Sequence, residues 1–166
     1  HLSKDVKFLG HTFFKRKNDG ESDGKGKWKL GVHRKARKTF EQKIKALLNR
    51  KCLKGLDRCK EELRLYVRGW ANYFHLGLSK KRRESYDKWI RRRIRQLYWK
   101  IWKKNPTRVR ALIKLGIERQ RAYEWGNSSK GYWRISGSWV LTRSLKNDVL
   151  QMLGWIWLGT ARQWSA

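Results

Sequence analysis

Basic side chains interleaved with aromatic rings are the residues of this chain that point most directly to a chemistry. Between Lys80 and Arg110, fourteen Lys or Arg residues stand against two acids, Glu84 and Asp87. A solvated helix face is normally salt-bridged by acids, and here those acids are missing. Guanidinium groups offer a fork of donors to phosphate and a flat face that stacks on bases. The run therefore predicts contact with a nucleic-acid backbone.

A helix predicted over 81–104 carries most of this charge. Its apolar stripe is narrow and consists of Tyr86, Ile90, Ile94, Leu97 and Ile101. The residues predicted to bind RNA lie on the opposite side of this helix or on the polar side of the helix before it: Arg64, Arg68, Lys88, Arg91, Arg92, Arg95, Trp99 and Lys103. Trp99 and Trp102 fall inside the basic arc, where stacking on an unpaired base would stabilise binding by roughly 1–3 kcal/mol each. Packing against a neighbouring element is the alternative, which we favour for Trp102.

The net charge and the tryptophan content bound the class of protein. The formal charge is +30 over 166 residues, and 11 residues are Trp. A disordered basic tail is poor in aromatic residues, so this composition predicts a packed core in one domain or two small ones. Self-repulsion at this charge is destabilising, and binding to nucleic acid should fall steeply with salt. No apolar stretch approaches the ~18 residues of a membrane span, so we expect no membrane partner.

Neither the cysteines nor the histidines form a recognisable site. Cys52 and Cys59 are seven positions apart, without a Cys-x-x-Cys pair or a neighbouring His cluster. The sequence therefore predicts no metal site, and two cysteines are too few for a disulfide framework. Because Cys59 falls on an apolar helix face, we expect a buried free thiol and a reducing compartment. We find no paired-carboxylate motif, phosphate-binding glycine loop or nucleophile elbow, and we predict no catalytic residue.

The start of the chain has the alternation of a sheet. Apolar residues at 6–14 and 28–34 predict two strands, and the loop between them is rich in Gly, Asn and Asp. Together these segments predict a β-hairpin. A two-stranded hairpin is marginally stable alone, so we expect it to pack on a further element. Because the chain begins with His1 rather than Met, we expect a fragment of a longer protein.

Helical periodicity dominates the rest of the chain. We predict helices over 38–51, with Thr39 as the N-cap, over 57–76 and over 81–104, the last ended by Pro106. Shorter helices are expected over 107–115 and 118–125, then a short strand or loop around 132–135, then a helix over 145–153 capped by Ser144 and stopped by Gly154. Residues 155–166 show no pattern. The predicted fold is mainly α, with an N-terminal β-hairpin, a three-helix bundle and a small helical region with a short strand or loop.

Several blocks of the sequence match a pattern known from one protein family. VRGWANYF at 67–74, followed by SYDKWIRRRIRQLYWKIWKK at 85–104, resembles the maturase-specific, or thumb, region of group II intron-encoded reverse transcriptases. KFLGHTF at 7–13 looks like the last conserved block of their polymerase domain. AYEWGNSSKGYWRISGSWVLTRSLKND at 122–148 is similar to the DNA-binding region after the thumb. The resemblance extends to about Gly154, and the last twelve residues depart from it.

The resemblance implies a division of the chain into three regions. Residues 1–36 would be the end of the polymerase palm, with Phe8, Leu9 and Gly10 at a primer-grip-like turn. Residues 37–105 would be the thumb-like maturase bundle, and residues 106–166 a small DNA-binding region. The candidate DNA contacts in that last region are Arg119, Arg121, Lys130, Arg134 and Arg143.

The resemblance also implies partners. The chain would bind intron RNA to assist splicing, and it would grip template–primer duplex and target DNA during retrohoming of the mobile intron. The fingers and the Y-x-D-D aspartates of the palm are not in this sequence, so the chain should be inactive alone and hold no cofactor of its own. Mg²⁺ is expected for the full-length polymerase, whose fingers and palm would be further partners. The expected location is cytoplasmic, in a bacterial or organellar interior, in association with nucleic acid.

Two other classes of function stay open on the residues alone. A stand-alone basic RNA- or DNA-binding module, of ribosome-associated or transposon type, would be stable without residues 1–36. A membrane-surface protein would use basic amphipathic helices. Tryptophan residues that face the interior of the predicted bundle argue against the membrane-surface class.

Overall fold

The computed structural model describes residues 6–15, 28–49, 52 and 55–161. The mainly helical fold with an N-terminal β-hairpin is confirmed. In chain order the elements are β1 Val6–Phe8, β2 His11–Lys15, β3 Trp28–Val32, α1 Arg34–Leu47, α2 Leu56–Phe74, α3 Lys80–Ile101, α4 Asn105–Lys114, α5 Arg119–Gly126, α6 Tyr132–Ser136, α7 Trp139–Ser144, α8 Asn147–Met152 and α9 Leu158–Ala161. Within these described ranges, no helix is long and apolar enough to cross a membrane.

A tight turn at Leu9 and Gly10 divides the first predicted strand in two. The sheet has the antiparallel order β1-β2-β3, with His11 opposite Phe8 on one side and opposite Val32 on the other. Leu9 has φ 48° and Gly10 has φ 81°. A two-residue hairpin turn of type I′ needs positive φ at both positions. Apolar residues continue on both sides of this turn, so the sequence pattern did not show the break.

The turn is held against the helical part of the chain. The Tyr73 hydroxyl donates to the carbonyl oxygen of Leu9 at 2.9 Å, and the His33 backbone N–H donates to the carbonyl oxygen of Gly10 at 2.8 Å. A Cβ on Gly10 would lie 3.2 Å from the Phe74 ring. The element on which the hairpin packs is therefore the C-terminal end of α2.

A cluster of aromatic rings joins the first three helices. The centroid of the Trp70 ring on α2 lies 4.1 Å from that of Phe40 on α1 and 6.1 Å from that of Tyr86 on α3. The Phe40 side chain is fully buried, and Trp70 is 8% exposed. Aromatic pairs at these distances stabilise a core beyond the area that they bury. Trp70 is therefore a core residue, as the helical periodicity predicts.

α1 begins earlier than predicted. The His33 side chain accepts a hydrogen bond from the Lys35 backbone N–H at 3.2 Å and caps the helix. Thr39 was the predicted N-cap, and that prediction was wrong, because Thr39 lies inside the helix and donates its hydroxyl to the Lys35 carbonyl oxygen at 3.1 Å. The helix starts directly after β3, whereas the apolar periodicity that can be read from the sequence starts only at Phe40.

Pro106 begins a helix rather than ending one. α3 ends at Ile101, and α4 begins at Asn105 with Pro106 in its first turn. Proline suits that position because the first N–H groups of a helix have no intrahelical acceptor. The prediction that Pro106 ends the third helix was therefore wrong, although the boundary itself falls close to the predicted place.

Two predictions for the later region were wrong. The residues of the expected short strand form the helix α6, Tyr132–Ser136. Ser144, the expected cap of the last helix, is instead the final residue of α7, and α8 begins at Asn147. A few apolar residues at this spacing do not distinguish a strand from one helical turn. Gly154 has φ 84° and follows α8 as expected, because glycine accepts the left-handed conformation there.

The segment after Gly154 is part of the core, although its sequence showed no pattern. Trp155, Trp157 and Leu158 are at most 5% exposed, and α9 packs on both α2 and α3. The indole N–H of Trp155 donates to the Tyr98 hydroxyl at 3.0 Å. Buried residues on both sides of the predicted boundary at 105 belong to one cluster, so the hydrophobic core is continuous across that boundary.

Cys52 and Cys59 form a disulfide, with their Cα atoms 5.4 Å apart. The prediction of a buried free thiol was therefore wrong. Cys52 lies in the connection between α1 and α2, and Cys59 lies in the first turns of α2. The Cys52 carbonyl oxygen accepts a hydrogen bond from the Gly55 backbone N–H at 3.3 Å, so Cys52 lies beside the start of α2 and within bridging distance of Cys59. Their separation along the sequence does not show this.

Trp70→Ala should lower the free energy of unfolding by roughly 3–5 kcal/mol, because it empties the centre of the aromatic cluster. Urea denaturation at fixed salt would measure this loss. Trp28→Ala is the matched control, because Trp28 is 64% exposed and its truncation should change stability by less than about 0.5 kcal/mol. Equal stability of Trp70→Ala and the parent chain would contradict the core assignment.

Candidate nucleic-acid interface

The side of α3 that was predicted to face RNA packs against later helices. Arg92 shows this most clearly, because its guanidinium carbon lies 4.0 Å from the centroid of the Trp133 ring. The same side chain donates to the Trp133 carbonyl oxygen at 2.9 Å and to the Ser136 hydroxyl at 3.4 Å. A Cβ on Gly137 would lie 2.8 Å from the Arg92 guanidinium carbon. Arg92 therefore joins α3 to α6.

Arg95 is buried rather than exposed on a basic arc. The side chain is 8% exposed, and its Nε donates to the Leu145 carbonyl oxygen at 3.1 Å. Burial, together with the nearby charge of Arg91, lowers the pKa of the guanidinium to about 10. The expectation that Arg95 offers its charge to RNA from the surface was wrong, because the residue holds the end of α7 against α3.

Trp99 is also buried, at 1% exposed. The Arg108 guanidinium carbon lies 4.7 Å from the centroid of its ring, and Arg108 Nε donates to the Trp102 carbonyl oxygen at 2.9 Å. The expectation that Trp99 faces outward to stack on a base was wrong. Trp102 is half-buried and packs against the core, so the packing alternative is confirmed for that residue.

The remaining predicted RNA contacts differ in accessibility. Lys88 and Lys103 are exposed. Arg91 is half-buried, with its guanidinium carbon 4.9 Å from the centroid of the Trp157 ring. Arg64 pairs with Glu61 at 3.1 Å on the surface of α2, and Arg68 is half-buried one turn further along. The structure does not bring these residues together with Arg92, Arg95 and Trp99 on one open surface.

Asp87 is a buried carboxylate that the sequence analysis missed. The residue is 6% exposed, and its Oδ2 accepts a hydrogen bond from the Gly159 backbone N–H at 3.0 Å. Burial raises the pKa of the Asp87 carboxyl to about 6, although the Gly159 N–H and the charges of Arg91 and Arg83 oppose the rise. A Cβ on Gly159 would lie 2.8 Å from Oδ2. Asp87 therefore fixes the C-terminal segment to α3.

Exposed cations instead gather where α1 meets the start of α3. The Tyr86 hydroxyl donates to Glu41 Oε1 at 3.3 Å, which joins the two helices. Burial and Glu41 raise the pKa of that hydroxyl, while the charges of Arg37 and Arg82 act in the opposite direction, so both arginines lie nearby. Other basic residues share the Glu41 flank of α1 at helical spacing. We define the α1–α3 basic face as the exposed Arg34, Lys38, Lys45 and Arg82 together with the half-buried Arg37.

The helices after Pro106 expose aromatic rings beside cations. The exposed rings are Tyr123, Tyr132, Trp133 and Trp139. All the predicted DNA contacts are exposed too, namely Arg119, Arg121, Lys130, Arg134 and Arg143. The cation of Lys130 lies 4.9 Å from the centroid of the half-buried Trp125 ring, that of Arg119 lies 5.9 Å from Tyr123, and that of Arg121 lies 6.0 Å from Trp139. We call the exposed rings and cations of 119–143 the aromatic–basic surface.

The aromatic–basic surface contains two separate hollows. Arg121 and Arg143 line one of them together with Trp139 and Glu118. Arg119 lines the other, with Arg110 among its neighbours. The predicted DNA contacts are thus accessible but not all convergent. The exposed aromatic residues were not singled out from the sequence, where periodicity alone does not separate a surface ring from a buried one.

The primer-grip-like turn presents its apolar side chains to solvent. Phe8 is 62% exposed and Leu9 is 67% exposed. Leu9 is a non-glycine residue with positive φ, a conformation that costs free energy and that surrounding contacts must hold in place. Tyr73 and His33 supply those contacts, so the structure fixes the position of this exposed turn.

The described part of the chain contains no group of three or more His, Cys, Asp or Glu that could hold a metal ion. Asp87 is the buried carboxylate of α3, and it faces Gly159 rather than a second acid. The Mg²⁺ expected for the full-length polymerase would instead be held by the Y-x-D-D aspartates, which are not in this sequence.

Arg95→Glu should destabilise the fold by at least about 2 kcal/mol, because it removes a buried hydrogen bond and places an unpaired carboxylate beside the Leu145 carbonyl oxygen. Lys88→Glu is the matched control, since it makes the same charge change at an exposed position of the same helix. Urea denaturation of both variants at fixed salt would give the comparison. Similar stabilities would show that Arg95 has no structural role.

Asp87→Asn should change how stability depends on pH. The raised pKa means that the folded state binds the proton more tightly, so this stabilisation is complete below the unfolded pKa of 3.8 and is lost as pH rises to about 6. Relative to Asp87→Asn, the parent chain should lose up to about 3 kcal/mol between these pH values. Urea denaturation at several pH values measures this difference in the free energy of unfolding. Asp148→Asn is the control, because Asp148 is exposed. Parallel curves for parent and Asp87→Asn would contradict the assignment.

Comparison with known families adds an independent finding. Residues 37–116 match the family model described as group II intron, maturase-specific domain, which runs from α1 to the end of α4. No curated protein matched the chain. The resemblance of the blocks at 67–74 and 85–104 to this region is thereby confirmed. Residues 37–116 are therefore similar to a group II intron maturase-specific domain, and that similarity implies intron RNA as a partner and a maturase role in splicing.

Proposed function

We propose that this chain is the nucleic-acid-binding part of a group II intron reverse transcriptase and maturase. It binds intron RNA to assist splicing, and it contacts template–primer duplex and target DNA during retrohoming, in a bacterial or organellar interior. The observation that carries the proposal is the maturase-specific domain at 37–116. The net charge of +30 supports a polyanionic partner.

The α1–α3 basic face supports the RNA-binding part of the proposal. Arg34, Lys38, Lys45 and Arg82 are exposed, while much of the opposite side of α3 is occupied by α6 and α9. Side chains cannot read the base edges in the deep groove of an RNA helix, so recognition rests on backbone shape and phosphate contacts. A basic face on two joined helices suits that kind of recognition. Lys88 and Lys103 of the predicted set are also exposed, and they stay predicted RNA contacts.

The aromatic–basic surface supports the DNA-binding part. Its rings and guanidinium groups combine phosphate binding with stacking, two of the contacts by which proteins bind a nucleic-acid strand. Phe8 and Leu9 at the exposed turn are the proposed contacts to the primer strand. DNA polymerisation would need Mg²⁺ held by Y-x-D-D aspartates that are not in this sequence. If the upstream reading frame encoded no Y-x-D-D motif, the polymerase part of the proposal would fail and a splicing factor would remain.

Lys38→Glu combined with Arg82→Glu should weaken binding to a folded group II intron RNA and make binding less dependent on salt. Two lost phosphate contacts lower the slope of log K against log salt by about 2. The measurement is a titration of the full chain across a salt series. The matched control is Arg58→Glu combined with Lys146→Glu, which makes the same charge change on α2 and before α8 and should have a smaller effect.

A length-matched random RNA completes the design. The proposal expects the parent chain to prefer the intron RNA, with a gap that persists at high salt because it comes from shape rather than from charge alone. Affinities for the two RNAs that are equal and collapse together with salt would contradict the maturase proposal. An equal effect of the two double variants would remove the α1–α3 basic face from the interface.

A further inference from the structure

A cleft lies between the α4–α5 turn and α7, and its lining combines an aromatic ring with two arginines and a carboxylate. Gly116, Ile117 and Glu118 line it from the turn, and Arg121 of α5 lines it with Trp139 and Arg143 of α7. Its volume of about 460 Å³ lies within the usual range of small-ligand sites, about 300–1,000 Å³. We call it the Trp139 cleft.

Trp139 is fixed in place but remains open to solvent. The ring is 48% exposed, yet it meets the half-buried Trp125 ring edge-on, with centroids 6.3 Å apart and an interplanar angle of 83°. Ser138 caps α7 by accepting a hydrogen bond from the Leu141 backbone N–H, so the helix that carries Trp139 is held at its start. An aromatic ring that is both supported and exposed is a platform for stacking.

Two guanidinium groups line the cleft beside this ring. The Arg121 guanidinium carbon lies 6.0 Å from the Trp139 ring centroid, and Arg143 follows Trp139 by one helical turn on α7. Arg121 also meets Glu124 at 3.9 Å, but an exposed pair at this distance contributes little and leaves the guanidinium able to bind phosphate. Glu118 adds a carboxylate to the lining, which repels phosphate from its own side of the cleft.

We propose that the Trp139 cleft binds one unpaired nucleotide of a single strand. Trp139 stacks on the base, and Arg121 and Arg143 bind the phosphates on either side of it. A base within a duplex has both faces covered by its neighbours, so it cannot stack on a side chain, whereas every unpaired base offers a face. The inference rests on the proposed function, which places nucleic acid on this surface, and adds that the ligand in the cleft is single-stranded.

Trp139→Ala in the full chain tests this assignment. The probes are a short oligo(dT), a short oligo(U) and a duplex with the same number of phosphates, each followed by fluorescence anisotropy at one salt concentration. Loss of one stacked base should weaken single-strand binding by about 5- to 150-fold and leave duplex binding unchanged. Trp28→Ala is the control, since it removes another exposed indole and should change neither affinity.

Two further variants separate binding from folding. Trp139→Phe keeps a stacking ring and should retain most of the single-strand affinity, and Arg143→Gln should weaken it while lowering the salt slope by about one phosphate contact. The assignment would be overturned if Trp139→Ala lowered the affinity for single strand and duplex equally. It would also be overturned if Trp139→Ala left the affinities for oligo(dT) and oligo(U) unchanged. If Trp139→Ala does not fold, an unchanged single-strand affinity of Arg143→Gln overturns it equally.

The two strands identify the source of the nucleotide. Stronger dependence on Trp139 for oligo(dT) assigns the cleft to DNA, and stronger dependence for oligo(U) assigns it to RNA; either result supports the cleft. Failure here is distinguishable from failure of the proposed function, because the proposed function is tested by discrimination between folded intron RNA and random RNA at the α1–α3 basic face.

Discussion

Arginine side chains of α3 that contact a tryptophan ring or a backbone carbonyl oxygen fix the later helices against the bundle. α3 carries several arginines on a chain with a net charge of +30, and burying such groups is costly unless their donors are satisfied. Arg92 lies over Trp133 and donates to its carbonyl oxygen, and Arg95 donates to the Leu145 carbonyl oxygen. Guanidinium groups are weakly hydrated and planar, so they accept these surroundings better than lysine would. The short helices α6 and α7, too short to be stable alone, thereby gain a fixed position.

The same packing decides which cations are available to a partner. Arginines in the middle of α3 hold α6, α7 and the C-terminal segment in place, and Asp87 adds a buried carboxylate that accepts the Gly159 N–H. Accessible charge is found at the periphery, on the α1–α3 basic face and on the aromatic–basic surface. The ion pairs of the described residues lie within α2, as between Arg64 and Glu61, and within α5, between Arg121 and Glu124. None of these pairs involves an arginine of α3. A dense run of charge in a sequence is therefore a poor guide to where a polyanion binds.

Much of the local structure was predictable from residue types and spacing. The periods around Phe40, Trp70 and Ile90 placed the first three helices and their core. The α1 cap at His33 and the place of Pro106 in the first turn of α4 were not predicted, because a helix start depends on the path of the chain before the helix. The four-residue helix α9 and the buried Trp155 lack any repeat, since an element shorter than two turns cannot display one. The disulfide of Cys52 with Cys59 depends on where Cys52 lies relative to α2, which residue spacing does not give.

The sequence by itself determined the helical bundle, the hairpin, the basic character and, through the blocks at 67–74 and 85–104, the resemblance to a maturase-specific domain. These follow from composition, from the period of apolar residues and from contiguous motifs, all of which are local. Tertiary structure alone decided that Arg95 and Trp99 are buried, that the charges of Arg37 and Arg82 both act on the Tyr86 hydroxyl, and that Trp139 lines a cleft with Arg121 and Arg143. Helical spacing gives the direction of a side chain relative to its own helix, but only the packing of other elements decides whether that direction is solvent or core.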